Sequence, residues 1–175
     1  DGRFLLYYTA GDPKTKTDVW VLPLVGERKP TPLLQSEFEE FDAQFSPDGK
    51  WIAYTSTESG RNEVYVRPFP GPGGKWQIST TGVSPIGIVL AARWRRDGKS
   101  AKGARQSRQV GIGLGSDYVG ELYYLSDDQK MMAAEVKASG SSFDVGAVKP
   151  LFDTQSKGVL WIAAVSADGY RFLTV

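Results

Sequence analysis

Residues 46–80 read SPDGKWIAYTSTESGRNEVYVRPFPGPGGKWQIST. Asp48-Gly49 predicts a tight turn, Trp51-Ile52-Ala53-Tyr54-Thr55 a strand, Thr57 to Arg61 a polar loop, and Glu63-Val64-Tyr65-Val66 a second strand. A Pro/Gly-rich connection, Pro68 to Gly74, leads into a short third strand, Trp76-Gln77-Ile78. Short β-branched and aromatic runs separated by turn-forming residues are the grammar of an antiparallel sheet. This unit points to a fold and not, by itself, to a function.

The rest of the chain reads as further copies of it. Asp-Gly turns sit at Asp1, Asp48, Asp97 and Asp168, spaced by 47, 49 and 71 residues. The strands that follow them are Phe4 to Tyr8, Trp51 to Tyr54, Glu121 to Leu125 and Arg171 to Thr174. In the third copy the 21 residues Ser100 to Gly120 separate turn from strand, and removing them brings that spacing to 50. A strand also precedes each later turn: Phe41 to Phe45, Leu90 to Trp94 and Trp161 to Val165. Within those strands alanine recurs five residues before the turn aspartate (Ala43, Ala92, Ala163) and a bulky apolar residue three before it (Phe45, Trp94, Val165). A further strand recurs as Asp18 to Leu22, Glu63 to Val66 and Met131 to Val136, and another as Pro32 to Leu34, Trp76 to Ile78 and Pro150 to Phe152. Four short strands per repeat of about 50 residues are the signature of a β-propeller blade. The alternative is a β-sandwich with accidental self-similarity, and four landmarks recurring in register weigh against it.

The expected fold class is therefore all-β: one propeller segment over residues 1–175, with about three blades of four antiparallel strands plus one extra strand, and an insertion at 100–120. Closed propellers use four to eight blades. The segment is expected either to be a piece of a larger propeller or to be completed by a second copy, because open strand edges invite pairing.

Ser46-Pro47-Asp48-Gly49-Lys50-Trp51-Ile52-Ala53-Tyr54, followed by Glu63-Val64-Tyr65-Val66, resembles the repeat of TolB-like, WD-repeat-like bacterial propellers. The phrases Val66 to Gly71, Trp76 to Thr80 and Arg93-Trp94-Arg95-Arg96-Asp97-Gly98-Lys99 resemble the C-terminal propeller of bacterial membrane-anchored Ser/Thr protein kinases. The resemblance implies a non-catalytic binding or sensing surface, and a periplasmic or other extracytoplasmic home over a cytoplasmic one. It carries over no catalytic residue, since the shared motif is a folding motif.

Composition narrows the chemistry. With 41% hydrophobic residues and 21 aromatics the chain can build a sizeable core. A net charge of +1 gives no global reason to expect nucleic acid as partner, and no apolar run approaches the length of a membrane span. The chain has no cysteine and no histidine. That removes disulfides, thiolate metal sites, the usual zinc ligands and every Ser-His or Cys-His catalytic pair. No cofactor and no metal is expected.

Binding residues collect on loops of rigid scaffolds. In the resembled family's geometry, residues 11–17, 36–40, 57–61, 81–89 and 155–158 would share one face. Among them Thr81 to Val89, TGVSPIGIV, is the long apolar one. It reads as a partner-binding lip through Ser84, Pro85 and Ile86, or as a loop packed over a blade edge; Arg61 and Asn62 lie on the same expected face. Residues 93–108 carry a local excess of +6, including Arg93 and Arg95. This could contact phosphate but reads better as a solvated hairpin. The acidic Glu37, Glu39, Glu40 and Asp42 could offer oxygens to calcium, yet lack the spacing of an EF-hand loop and read as solvated charge. Gly111 to Ser116 lacks the following helix a phosphate loop needs. The expected function is recognition of a protein, peptide or small ligand, with self-association. The alternative is a hydrolase, or a propeller gating one, using carboxylates or a Ser-Lys pair such as Ser100 with Lys102.

Overall fold

A computed structural model describes residues 2–46, 48–85, 94–96, 118–154, 162–165 and 172–174. These residues form thirteen strands in antiparallel sheets, with no helix among them. The first sheet is β1 (Phe4–Asp12), β2 (Lys16–Pro23) and β3 (Thr31–Leu34) in spatial order. The second is β4 (Glu40–Phe45), β5 (Trp51–Ser56), β6 (Glu63–Pro68) and β7 (Trp76–Gln77). The third is β8 (Trp94–Arg96), β9 (Tyr118–Leu125), β10 (Lys130–Ser139) and β11 (Ser142–Asp153), and the fourth holds β12 (Ile162–Val165) and β13 (Phe172–Thr174). Simple up-and-down sheets of four strands, repeated along the chain, make this a partial β-propeller.

The sheets are cut one strand earlier than the sequence repeat. Asp48-Gly49 lies inside the second sheet, between β4 and β5, so a blade opens with the strand that precedes its Asp-Gly turn. The turn itself is built by side chains. Ser46 accepts the Gly49 N–H on its carbonyl at 2.8 Å, and the Ser46 hydroxyl bonds both Asp48 Oδ1 (2.5 Å) and the Trp51 N–H (3.0 Å). Gly49 takes a φ of +68°, where a Cβ is disfavoured. The same turn recurs without its glycine at Ser126 to Lys130, between β9 and β10. There the Gln129 N–H bonds the Ser126 carbonyl at 2.9 Å, the Ser126 hydroxyl bonds Asp128 Oδ1 at 2.5 Å, and Gln129 takes a φ of +59°.

The second sheet is buried on both faces, which explains why β5 reads as a continuous apolar run rather than an alternating one. Side chains alternate across a strand. Ile52 and Tyr54 join Tyr65, Val19, Val21 and Leu34 in a core against the first sheet. Trp51, Ala53, Val64 and Val66 join Leu122, Tyr124, Ala133 and Phe143 in a core against the third. The β10–β11 hairpin is the longest among the described residues; its Phe143, close to the tip, packs with ring centroids 5.0 Å from Trp51 and 5.8 Å from Trp76. Sequence alone marked only Pro150 to Phe152 of β11. Tyr118 to Gly120, read as the end of the insertion, pair with Arg96 to Trp94 as the start of β9. The remainder of the insertion and the Asp-Gly turns at Asp1, Asp97 and Asp168 lie outside the described residues.

Candidate functional site: the loop face and its two seams

Among the described residues, the loops around Thr15, Gln35 to Glu39, Thr57 to Asn62 and Gly82 to Ser84 are tied together in two groups, and they surround two buried carboxylates at equivalent blade positions. Glu63 opens β6 and Asp18 lies near the start of β2. In both blades the residue following the last core position of the outer strand reaches back to that carboxylate: Ser79 to Glu63, and Gln35 to Asp18. The two sites are finished in opposite ways.

Glu63 is fully buried and fully engaged. Its Oε1 accepts from Arg61 Nε at 2.8 Å and from the Gly82 N–H at 2.9 Å, and its Oε2 accepts from the Ser79 hydroxyl, whose oxygen takes the Val64 N–H at 2.8 Å. The Arg61 guanidinium also donates to the Thr80 carbonyl. From this anchor residues 82–84 run between the second and third sheets. The Val83 N–H bonds the Asn62 carbonyl at 2.9 Å, and the Ser84 N–H bonds the Leu125 carbonyl at 3.0 Å. Gly82 sits so close to the Ser126–Lys130 turn that a Cβ there would fall 2.0 Å from Asp127 Oδ2.

Asp18 and Glu40 face a different balance at the junction of the first and second sheets. Asp18 Oδ2 accepts from the Thr15 hydroxyl at 2.9 Å and from Gln35 Nε2 at 3.1 Å; Glu40 Oε1 accepts from the Ser36 hydroxyl at 2.6 Å. Asp18 Oδ1 and Glu40 Oε2 are buried without a hydrogen-bond partner among the described residues. Burial pushes the Glu40 carboxyl above its ordinary range; the Ser36 hydroxyl and the Lys75 charge oppose this, while the Asp18 and Glu58 charges add to it. Of the acidic run, Glu37 and Glu39 are exposed as solvated charge should be, Asp42 is half-buried, and Glu40 is buried. Asp42 takes a φ of +53° at a bulge in β4, and burial raises its carboxyl as well.

The residues singled out from sequence fall in several places. Arg61, Asn62 and Ser84 come together at the seam just described; Ser84 is buried and Pro85 exposed. Ile86 and Arg93 lie outside the described residues, and Arg95 is placed by its backbone in β8, paired with Val119. Ser100, Lys102, Gly111 to Ser116 and residues 155–158 are outside them too. The hydrolase alternative gains no support among the described residues, where the buried carboxylates accept hydrogen bonds from serine, threonine, glutamine, arginine and a backbone N–H. What sequence reading did not mark is the open side of the first sheet. There β1 has β2 as its one strand neighbour among the described residues. Beside it lies a cleft of about 450 Å³, bordered by Leu6, Tyr7 and Tyr8 of β1 and by Asp42, Ala43 and Gln44 of β4. Leu5 and Tyr8 on β1 are well exposed. An unpaired edge with exposed large apolar residues was legible only as the general expectation that an incomplete propeller has open ends.

The class of protein is thus a β-propeller segment with one sealed and one unneutralised inter-blade seam. Among solved structures it is similar to a protein described as TolB from Agrobacterium tumefaciens, at 16% identity and a TM-score of 0.45, over 87% of this chain and 46% of that one. It is also similar to TolB from Acinetobacter baumannii, at 16% identity and a TM-score of 0.42, over 98% of this chain and 46% of that one. The chain spans less than half the length of either. No family model and no curated protein matches it.

Proposed function

We propose that this chain is a non-catalytic propeller segment that recognises a protein or peptide partner, and that the partner enters as an extended strand along β1. The observation that carries this reading is that β1 has β2 as its one strand neighbour among the described residues, beside the cleft against β4. Strand addition to an exposed edge gives affinity through backbone hydrogen bonds and specificity through pockets for alternate side chains. The inner strand of the second blade, with small Ala43 two residues before bulky Phe45, shows the pattern that fits such a position. The equivalent strand Ile162–Val165 has the same pattern, so a second copy of this chain is one source of the strand. In this reading the module works outside the bacterial cytoplasm, as its sequence resemblance implies.

Light scattering over a concentration series tests it. Association to twice 19.2 kDa, lost when Leu5 and Tyr8 are both replaced by lysine, supports strand addition by a second copy. A chain that stays monomeric and gains no mass from a peptide spanning residues 161–165 overturns that form of the reading.

A further inference from the structure

We infer that Asp18 and Glu40, linked through Gln35 and Ser36, form a site for a hard divalent cation of calcium size at the junction of the first two blades. The two carboxylates come from different sheets and are only 3% and 6% exposed. The neighbouring residues Gln35 and Ser36 hold one oxygen of each, at 3.1 Å and 2.6 Å. The other oxygen of each is buried with no hydrogen-bond donor among the described residues. Burying an uncompensated carboxylate is costly, and here the Asp18 charge also acts on Glu40 and adds repulsion to that cost. Some positive charge is required here.

Among the described residues no cation forms an ion pair with either carboxylate. At the equivalent site of the next blade, Arg61, two residues before Glu63, neutralises the carboxylate. The residue in that position before Asp18 is Lys16, which is exposed and forms no ion pair among the described residues. Lys75, whose charge reaches Glu40, is held by Glu58. A bound cation would therefore do for the first seam what Arg61 does for the second: cancel the buried charge and join loop to strand across two blades.

The donor chemistry selects the ion class. All the donors are oxygens, and the chain has neither histidine nor cysteine, which excludes the usual zinc and copper sets. No three Asp, Glu, His or Cys side chains converge among the described residues, so two carboxylates would be completed by neutral oxygens such as those of Thr15, Gln35 and Ser36. Calcium accepts such mixed, irregular sets, whereas magnesium demands near-octahedral geometry and sheds water reluctantly. Two charges give weak binding, on the order of 0.1–1 mM, the range of extracellular calcium modules.

The test is calorimetric titration of calcium chloride into the EDTA-treated full chain, with thermal unfolding alongside. Saturable binding in that range, with a rise in Tm of roughly 3–6 °C at a free calcium concentration ten times Kd, is expected. Asp18→Asn and Glu40→Gln should each weaken binding at least tenfold while melting cooperatively in EDTA. Glu39→Gln, an exposed carboxylate of the same loop, should leave it unchanged. Magnesium should bind at least tenfold more weakly than calcium. Absence of any calcium response in the unmodified chain overturns the inference, and so does a response that survives both buried-site substitutions. Neither result bears on the β1 edge, because oligomeric state is read separately.

Discussion

The two seams of this molecule solve one problem in two ways. Each places a carboxylate near the start of the strand that pairs with the blade's outer one, β2 and β6, under the loops, where water is excluded. At the second seam Glu63 has an arginine, a hydroxyl and a backbone N–H, and the connection to the next blade is pinned against it. At the first seam Asp18 and Glu40 have hydroxyls and an amide but no cation among the described residues, and an oxygen of each is unmatched. A buried charge paired in good geometry is a structural lock. A buried charge left unpaired is a cost that only a bound ligand or a proton relieves. The contrast teaches that repeats with a common backbone can divide labour through one substitution: arginine at position 61 against lysine at position 16, two residues ahead of the carboxylate.

Breaking the sealed seam should have the largest effects. Trp51→Ala removes an indole that touches Trp76 and Phe143 and should lower stability by about 4 kcal/mol, read as the urea midpoint at constant m. Glu63→Gln leaves Arg61 without its counter-charge and turns one acceptor oxygen into an NH₂ facing donors; about 3 kcal/mol should be lost in the same assay. The same change in the other seam, Glu40→Gln, should have the opposite sign and stabilise the EDTA-treated chain by about 1 kcal/mol, because it removes an unmatched charge. Equal destabilisation by the two substitutions would erase the distinction between the seams. Gly82→Ala should cost about 2 kcal/mol, since φ is +92° and the added methyl meets the Asp127 carboxylate; hydrogen exchange should rise first at residues 82–84.

The smallest effect is a pH dependence in the glycine-free turn. Lys130 and the Ser126 hydroxyl hold Asp128 below the ordinary aspartate value of 3.8. The folded state then binds fewer protons than the unfolded chain near that pH, so the contribution is complete above 3.8 and lost as pH falls through the folded pKa. Asp128→Asn should therefore lower Tm slightly at neutral pH, and the gap to the parent should close in acid. A gap independent of pH would show that the turn does not use the charge.

Most strands were legible because strand and turn are written locally: Trp51 to Thr55 and Glu63 to Val66 lie where alternation and Asp48-Gly49 put them. The turn at Ser126 was not legible, because Gln129 takes the left-handed conformation that glycine usually marks; Ser126 and Asp128 supply the same bonds as Ser46 and Asp48. The candidate site was legible only in part. Arg61, Asn62 and Ser84 could be placed on one face, but not the fact that Glu63 already occupies Arg61. The acidic run from Glu37 to Asp42 looked uniform, whereas the entry of β4 into the sheet buries Glu40 and leaves Glu37 and Glu39 in water.

The sequence by itself determined the all-β class, the four-strand repeat and the absence of histidine and cysteine chemistry, since these depend on residue type and short-range spacing. Tertiary structure alone decided where each blade is cut, which carboxylate finds a cation and which strand of the first sheet has a single neighbour among the described residues. Those outcomes depend on which sheet packs against which face. Residues as far apart in sequence as Trp51 and Phe143 meet there, and no local pattern encodes the desolvation that such meetings impose.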